Sequence, residues 1–540
     1  VKEEFDYIIV GAGSAGCVLA DKLSADPRNR VLLVEAGPTD KNPMVRLPKG
    51  FAKLAASPAH CYTYGANPGP AGKTGAETWI RGRMLGGSSS INGLQYQRGH
   101  AEDYNHWERD LGLKGWGWQE IGRIFRQMEN HELGANEFRG AGGPVHVTVT
   151  RNRSLLMDKL IDAAGQLGVR HFEDPNEPDH EGIGYMFATV WKGQRWSAAN
   201  AFLEPARKRS NLRIVTDTAV TRIIFDGLKA NGIECREKDK LTKYRAAKEI
   251  ILAAGALESP KLLQLSGVGA ADHLRKLGMQ VVHDSPGVGR NMREHLCFTV
   301  QYRLAGDYSQ NKEYSGWRLA LNGIRYMTSR TGLLSTSPYD VTGFLRTRPG
   351  LDRPDAQIVA APMSMDVKAF EGFDKGIKLE DEPGAQILGY GLRPQSQGTA
   401  LLRSADPAEQ LELVHNHLTH EEDRAVAIST VRYMRLLFDQ PAIKPFIAQE
   451  TLPGAHLQSD DEILDLYNQM SGPGYHVTGT CSMGQGAESV VDERLRVRGV
   501  TGLRVADISV FPTLVSGNTN GPAMAAAWRA SEMILEDNPN

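Results

Sequence analysis

Two stretches of this 540-residue chain carry residues whose types and spacing could do chemistry. The first is Gly11-Ala12-Gly13-Ser14-Ala15-Gly16, with Glu35 following some twenty residues on. In a dinucleotide-binding turn the first glycine permits a tight bend, the second lets backbone approach a pyrophosphate, and the third brings helix against strand. Free N–H groups at the helix start would hold the pyrophosphate. Glu35 would take a ribose diol and repel a 2′-phosphate. The motif alone suits NAD and FAD equally. The second stretch is the turn holding His415, His417 and His420, spaced like metal ligands and followed by Glu421-Glu422-Asp423. Solvated loop histidines, and acids favoured by a helix dipole, account for it better, so no metal is expected. Neither a GxSxG nor a Walker pattern occurs, which removes support for hydrolase and NTPase readings.

The glycine turn has meaning only if the right elements flank it, and they do. Phe5-Asp6-Tyr7-Ile8-Ile9-Val10 reads as a buried strand, Cys17 to Leu23 has helical spacing, and Val31-Leu32-Leu33-Val34 is a second strand ending on Glu35. Residues 38–80, rich in Pro, Gly, Ala and Lys, read as a long irregular excursion of the kind usually kept for function. Small residues dominate 81–93, so backbone there can press against something flat or charged. Residues 101–132 read as helical, anchored by Trp107, Leu111, Trp116, Trp118, Ile121, Ile124 and Phe125, and 154–168 as an amphipathic helix. Between 211 and 252 come strands, the last running into Ala253-Ala254-Gly255-Ala256, a second place where backbone could approach a ligand. Residues 300–420 mix Gly, Pro, Ser and charge with short strand-like runs and read as a separate, sheet-based domain. A helix over 421–439 is expected to be capped by Thr419, with Glu422 three residues on. The end of the chain, 502–533, returns to strand, glycine-rich turn and helix.

At this length two or more domains are expected. Lys+Arg 62 against Asp+Glu 64 gives a net charge of -2, which argues against nucleic acid or an anionic membrane as the main partner. Five cysteines, Cys17, Cys61, Cys235, Cys297 and Cys481, lie far apart without a CxxC pair and read as reduced, buried, inert thiols. No apolar run reaches the roughly eighteen residues of a membrane-spanning helix. The chain enters a core strand within a few residues, leaving no room for an uncleaved signal peptide. A cytoplasmic protein is expected.

By residue 93 the chain resembles the glucose–methanol–choline (GMC) flavin oxidoreductases. Four separated stretches carry the likeness, in the family's order and across nearly the whole chain. They are Phe5 to Gly16; Gly82 to Gly93 running on to Tyr96 and Arg98-Gly99; Gly255-Ala256-Leu257-Glu258-Ser259-Pro260 through Gly269; and His476 to Gly484 with Ser516 to Ala523. The resemblance implies an α/β fold: a discontinuous Rossmann-like FAD-binding domain (1–150, 196–299 and 476–540). Into it would be inserted an α+β substrate-binding domain (151–195 and 300–475) on an antiparallel sheet.

Oxidising an alcohol with a flavin removes a hydroxyl proton and a carbon-bound hydride, so the protein must supply a base and a group to hold the alkoxide oxygen. The resemblance assigns these tasks to His476 and Asn518. It assigns the cofactor to Gly11, Gly13, Ser14, Ala15, Gly16 and Glu35 at the adenosine end, with Val220 on the adenine. Arg83, Gly86, Gly87, Ser88, Asn92 and Gly93, with Ala506 and Asp507, would lie toward the flavin, and Ala254, Gly255 and Thr519 would also touch the cofactor. Tyr475 would wall the substrate pocket. Some members carry a histidine covalently joined to FAD where this chain has Ile91, so FAD is expected to be non-covalent. The implied partners are a small-molecule alcohol, primary by expectation, and oxygen or a quinone-type acceptor; a quinone-linked enzyme would sit at a membrane surface. The alternatives are a GMC-fold hydroxynitrile lyase with redox-silent FAD, and a flavin-binding protein without catalysis.

Overall fold

The computed structural model describes residues 3–70, 74–238, 240–366 and 378–539. Two seven-stranded sheets organise it. In the first, Glu4–Val10 lies between Val31–Val34 and the later half of the long strand Lys240–Leu252, parallel to both. Leu212–Val215 extends this parallel block on one side and Leu503–Val505 on the other. Ile8-Ile9-Val10, Val31–Val34 and Ile250-Ile251-Leu252 at the centre of this block are buried Val/Ile/Leu runs because both faces are covered there. The early half of Lys240–Leu252 pairs instead with the antiparallel hairpin Ala219–Asp226 and Lys229–Glu237. On this sheet the helix Ser14–Leu23 packs against the C-terminal helix Asn520–Asp537. One core therefore unites the start, middle and end of the chain.

The second sheet is antiparallel throughout: Ile447–Leu452, Leu296–Leu304, Gly384–Gly391, Ala356–Ala361, Val341–Leu345 and Gly182–Tyr185, with Gly472–Pro473 pairing onto Leu296 and Cys297. Helices Leu155–Gln166, Glu421–Phe438 and Asp460–Met470 pack into its core through Leu156, Leu160, Val431, Met434, Ile463 and Leu466. The architecture is the expected one: a Rossmann-like unit with an inserted α+β unit on an antiparallel sheet. The strand Leu296–Leu304 straddles the boundary expected between residues 299 and 300.

Local differences from the sequence reading have identifiable causes. The stretch 38–80 is not an irregular excursion: it forms the short helices Pro43–Arg46 and Phe51–Ala55, then Cys61–Asn67 paired antiparallel with Glu77–Gly82. Residues 101–132 split into Ala101–Arg109 and Trp118–Met128, because Gly112 and Gly115 take positive φ between them. Thr419 does not cap the helix Glu421–Phe438. His420 does, its ring accepting from Glu422 N, while the Thr419 hydroxyl donates to Asn416 O. All five cysteines are buried free thiols, as expected.

Candidate active site

Two loops press together at the carboxyl ends of the parallel strands. Gly86 N donates to Ala12 O at 2.7 Å, and a Cβ on Gly87 would collide with the Cα of Gly13. Only glycines allow this approach, which explains why both stretches are so poor in side chains. Above them opens a cavity of about 790 Å³. A Cβ on Gly13 or Gly255 would meet no atom, so the backbone at both points lies bare to the space. No side chain caps the helix Ser14–Leu23, which leaves its first N–H groups for an anion. Glu35 is buried, its oxygens accepting from Ala12 N (2.8 Å) and Gly37 N (2.9 Å); burial pushes its carboxyl up. The Ser14 hydroxyl donates to Asn520 Oδ1 at 2.7 Å, joining the first turn to the last helix. A bare glycine cradle, an open helix start and a buried acid together fit the ADP half of FAD.

Most of the expected cofactor positions line this cavity: Gly11, Gly13, Ser14, Ala15, Glu35, Arg83, Gly87, Ser88, Asn92, Gly93, Val220, Ala254, Gly255, Asp507 and Thr519. Three do not. Gly16 sits behind the turn, where a Cβ would strike Gly11 O. Gly86 faces Ser90, and Ala506 is held in the core sheet by its N–H to Leu252 O (2.8 Å). Asp507 is tied down at the rim, accepting from Gly255 N (2.8 Å), Ser259 Oγ (2.6 Å) and Ser509 N (2.8 Å).

The same cavity is lined by Tyr475, His476 and Asn518. His476 is placed by a zipper. Pro473 and Gly472 pair with Leu296 and Cys297, Gly474 N donates to His295 O, and Arg293 and Thr478 exchange backbone hydrogen bonds. Glu294 fastens the two segments, one oxygen accepting from His295 N (2.9 Å) and His476 N (2.6 Å). Burial pushes the Glu294 carboxyl up to about 8. Tyr475, just before the histidine, holds a left-handed backbone at φ 63°, a strained conformation for a residue with a side chain.

The ring nitrogens can be assigned from their partners. His295 Nε2 faces only the carbonyl of Leu392 (2.9 Å), so it carries the proton. His295 Nδ1 is then an acceptor, and His476 Nδ1, 2.9 Å away, must donate to it. In a neutral ring this leaves His476 Nε2 as the bare nitrogen. Burial holds both rings neutral, His295 down at about 4 and His476 well below the ordinary imidazole value, with His295 and Arg81 adding to the latter. His476 Nε2 lies 3.1 Å from Asn518 Nδ2. The Asn518 amide is oriented by a further chain: Tyr390 OH donates to Gln357 Oε1 (2.5 Å), and Gln357 Nε2 donates to Asn518 Oδ1 (3.3 Å). An unprotonated nitrogen that accepts from the Asn518 amide thus stands at the cavity wall.

His295, Glu294, Gln357 and Tyr390 were not singled out in the sequence. Their only signal is a Glu-His pair ahead of a strand and ordinary strand residues. The histidine turn corrects an expectation. His415 and His417 are buried, not solvated, stacked at 4.3 Å beside the buried Glu77. His417 Nε2 lies 3.6 Å from Glu77 Oε1. His415 Nε2 faces Gly75 O at 3.1 Å. Glu77, His415 and His417 thus form a buried cluster whose ligand-capable atoms all lie within 4.8 Å of one another.

Comparison with known proteins bears on the family. The N- and C-terminal family models for GMC oxidoreductase match residues 5–297 and 394–527. The mitochondrial choline dehydrogenase of Mus musculus is 39% identical over 542 residues, 99% of this chain and 90% of that protein. The oxygen-dependent choline dehydrogenase of Brucella anthropi is 36% identical over 545 residues, 99% of this chain and 96% of that one. Pyridoxine 4-oxidase from Mesorbium loti superposes with a TM-score of 0.87 at 27% identity, 98% of each chain being covered. With both family models matched in order, full-length relatives, and a cavity whose glycine cradle suits FAD, the chain belongs to the GMC oxidoreductase family of FAD-dependent enzymes.

Proposed function

We propose that this enzyme oxidises a primary alcohol to its aldehyde, with His476 as the base and Asn518 as its partner. The observation that carries the reading is the hydrogen-bond chain that leaves His476 Nε2 unprotonated beside the Asn518 amide. A substrate hydroxyl facing both from the cavity would donate to Nε2 and accept from Asn518 Nδ2, replacing their direct contact. As the hydroxyl proton passes to Nε2, the amide holds the developing alkoxide, and the imidazolium keeps its Nδ1–H on His295. Bound FAD supplies the acceptor for the two-electron hydride. Gly13, Ser14 and Ala15 would hold the pyrophosphate, Glu35 the ribose and Val220 the adenine. Arg83, Gly87, Ser88, Asn92 and Gly93 would present the flavin, with Thr519 and Asp507 opposite. Oxygen or a quinone-type acceptor would take the electrons on.

Ile91 lines the cavity and offers no nitrogen for a bond to the cofactor. Denaturing the holoenzyme and filtering it is expected to send the yellow flavin into the filtrate; flavin retained on the polypeptide would refute non-covalent binding.

The substrate part of the cavity is apolar. Cys297, Tyr339, Val359, Met363, Leu388 and Tyr390 line it, and the carboxylates among the described lining residues are Glu35, Glu258 and Asp507. Each of these already holds a protein donor: Glu35 and Asp507 as above, and Glu258 the Tyr64 hydroxyl at 2.8 Å. A quaternary ammonium would find no open carboxylate to pair with and would have only ring faces such as Tyr339, Tyr390 and Tyr475 to lie against. An anaerobic screen is therefore expected to show flavin bleaching by uncharged alcohols, aromatic or aliphatic, at lower concentrations than by choline. Choline bleaching the flavin as readily would sink this substrate assignment. Bleaching by no alcohol at all would favour a lyase with redox-silent FAD. Admitting air or a quinone to the bleached enzyme then identifies the acceptor.

A further inference from the structure

We infer that the helix Gly316–Ser329 docks this protein on an anionic phospholipid surface. Its sequence, Gly-Trp-Arg-Leu-Ala-Leu-Asn-Gly-Ile-Arg-Tyr-Met-Thr-Ser, is amphipathic. Trp317, Leu321 and Ile324 recur at helical spacing, and Met327 adjoins them one turn on. Arg318, Asn322 and Tyr326 form the opposite stripe. In a globular protein the apolar stripe turns to the core. Here the helix is mounted the other way round. Trp317 is 70% exposed, Leu321 54%, Ile324 52% and Met327 75%, and no residue of the helix is buried. The polar stripe fastens it to the body: Asn322 Nδ2 donates to Glu313 O (3.1 Å), Arg318 pairs with Glu313 (3.1 Å), and Tyr326 OH donates to Arg46 O (3.4 Å).

An outward apolar stripe needs a cover, and the charges around it select which. The helix contains no Asp or Glu. Arg325 on it and Arg330 at its C-cap are both exposed. The hairpin carrying Trp191 and Lys192 abuts this end, where a Cβ on Gly193 would run into Arg330 O. A tryptophan–leucine–isoleucine–methionine stripe bordered by cations that make no ion pair among the described residues is the pattern of a helix lying in the plane of a bilayer interface, with anionic headgroups on the basic flank. Among the described residues no helix can cross a membrane, so the contact is a surface one. The net charge of -2, which argued against a membrane partner, is summed over the whole chain. Salt confines attraction to charges within about 10 Å of the surface, where this patch is basic. The segment beneath the helix is also the cavity's rim: Lys49 donates to Tyr314, just before the helix, and Phe51 and Ala55 line the cavity. Docking there would bring the flavin cavity to the lipid, within reach of a lipid-borne substrate or acceptor.

The test is flotation of the holoenzyme with vesicles of three parts phosphatidylcholine to one part phosphatidylglycerol. The enzyme is expected to float with them, and roughly tenfold less with phosphatidylcholine alone or in high salt. The L321D/I324D variant is expected to lose flotation while its melting temperature and its flavin reduction by alcohol stay unchanged. Failure of the wild type to float, or undiminished flotation of the variant, overturns the inference. So does a wild-type dimer that ignores vesicles and falls to monomers in L321D/I324D, which would make a second copy of the chain the cover.

Discussion

Replacing His476 by alanine is expected to slow flavin reduction by an alcohol ~10²- to 10⁴-fold, the usual worth of a positioned general base, while the purified protein keeps its FAD. The two readouts separate because the ADP cradle and the base come from different parts of the chain. Gly11 to Ser14 and Glu35 are set by the first strands, and His476 by the zipper onto Arg293 to Cys297. Alanine removes the bare Nε2 and also releases Asn518 Nδ2 and His295 Nδ1 from their contacts at 3.1 and 2.9 Å. The backbone bond from residue 476 to Glu294 stays, so the loop keeps its place. Stopped-flow mixing of the oxidised variant with substrate under anaerobic conditions measures the step directly. Reduction at a near wild-type rate would remove His476 from the chemistry.

Why the residues alone disclosed the adenosine half of this site, while His476 and Asn518 came only through the family resemblance and their partners not at all, is a matter of range. Gly11 to Gly16, the strands beside it and Glu35 lie within one βαβ unit, so hydrophobic period and glycine spacing carry the geometry without the rest of the chain. Glu35 meets Ala12 across 23 residues. The end of the site that holds His476 and Asn518 is built from partners 181 and 161 residues apart, His295 with His476 and Gln357 with Asn518. No local pattern announces such pairs. His295 by itself reads as a strand-edge histidine, and Gln357 as one polar residue in an apolar strand.

The same limit explains the histidine turn. Whether His415 and His417 meet water depends on Cys61–Asn67 and Glu77–Gly82 folding beside Glu412–Val414, some 340 residues away in sequence for the Gly75–His415 contact. The helix Gly316–Ser329 lies in 300–420, which reads as irregular and sheet-based, and is missed there. Its period is legible, but period says only that a helix has an apolar stripe, and the hydrogen bonds of Asn322 and Tyr326 decide which way that stripe faces.

The second large effect is expected at His295, which touches no substrate and acts through the protonation pattern of His476. With leucine at 295, His476 Nδ1–H loses its acceptor in a buried setting, and a buried unpaired donor costs about 1–3 kcal/mol. The ring can relieve this by moving its proton to Nε2, which blocks the nitrogen proposed to receive the substrate proton, or by rotating away from Asn518. Either route lowers the competent fraction, and ~2 kcal/mol corresponds to roughly thirtyfold in rate. His295→Leu is therefore expected to reduce kcat for flavin reduction by about ten- to a hundredfold with little change in FAD content. Asparagine carries an acceptor oxygen close to where His295 Nδ1 lies, so His295→Asn should recover much of the loss. A structural role alone predicts something different. The Leu392 carbonyl loses its donor in the leucine variant whatever His476 does, so both variants would be judged by melting temperature and by rate together. Equal rates in the two variants, with only stability changed, would reduce His295 to a packing residue. Rescue by asparagine at unchanged stability would leave the tautomer of His476 as the property that His295 controls.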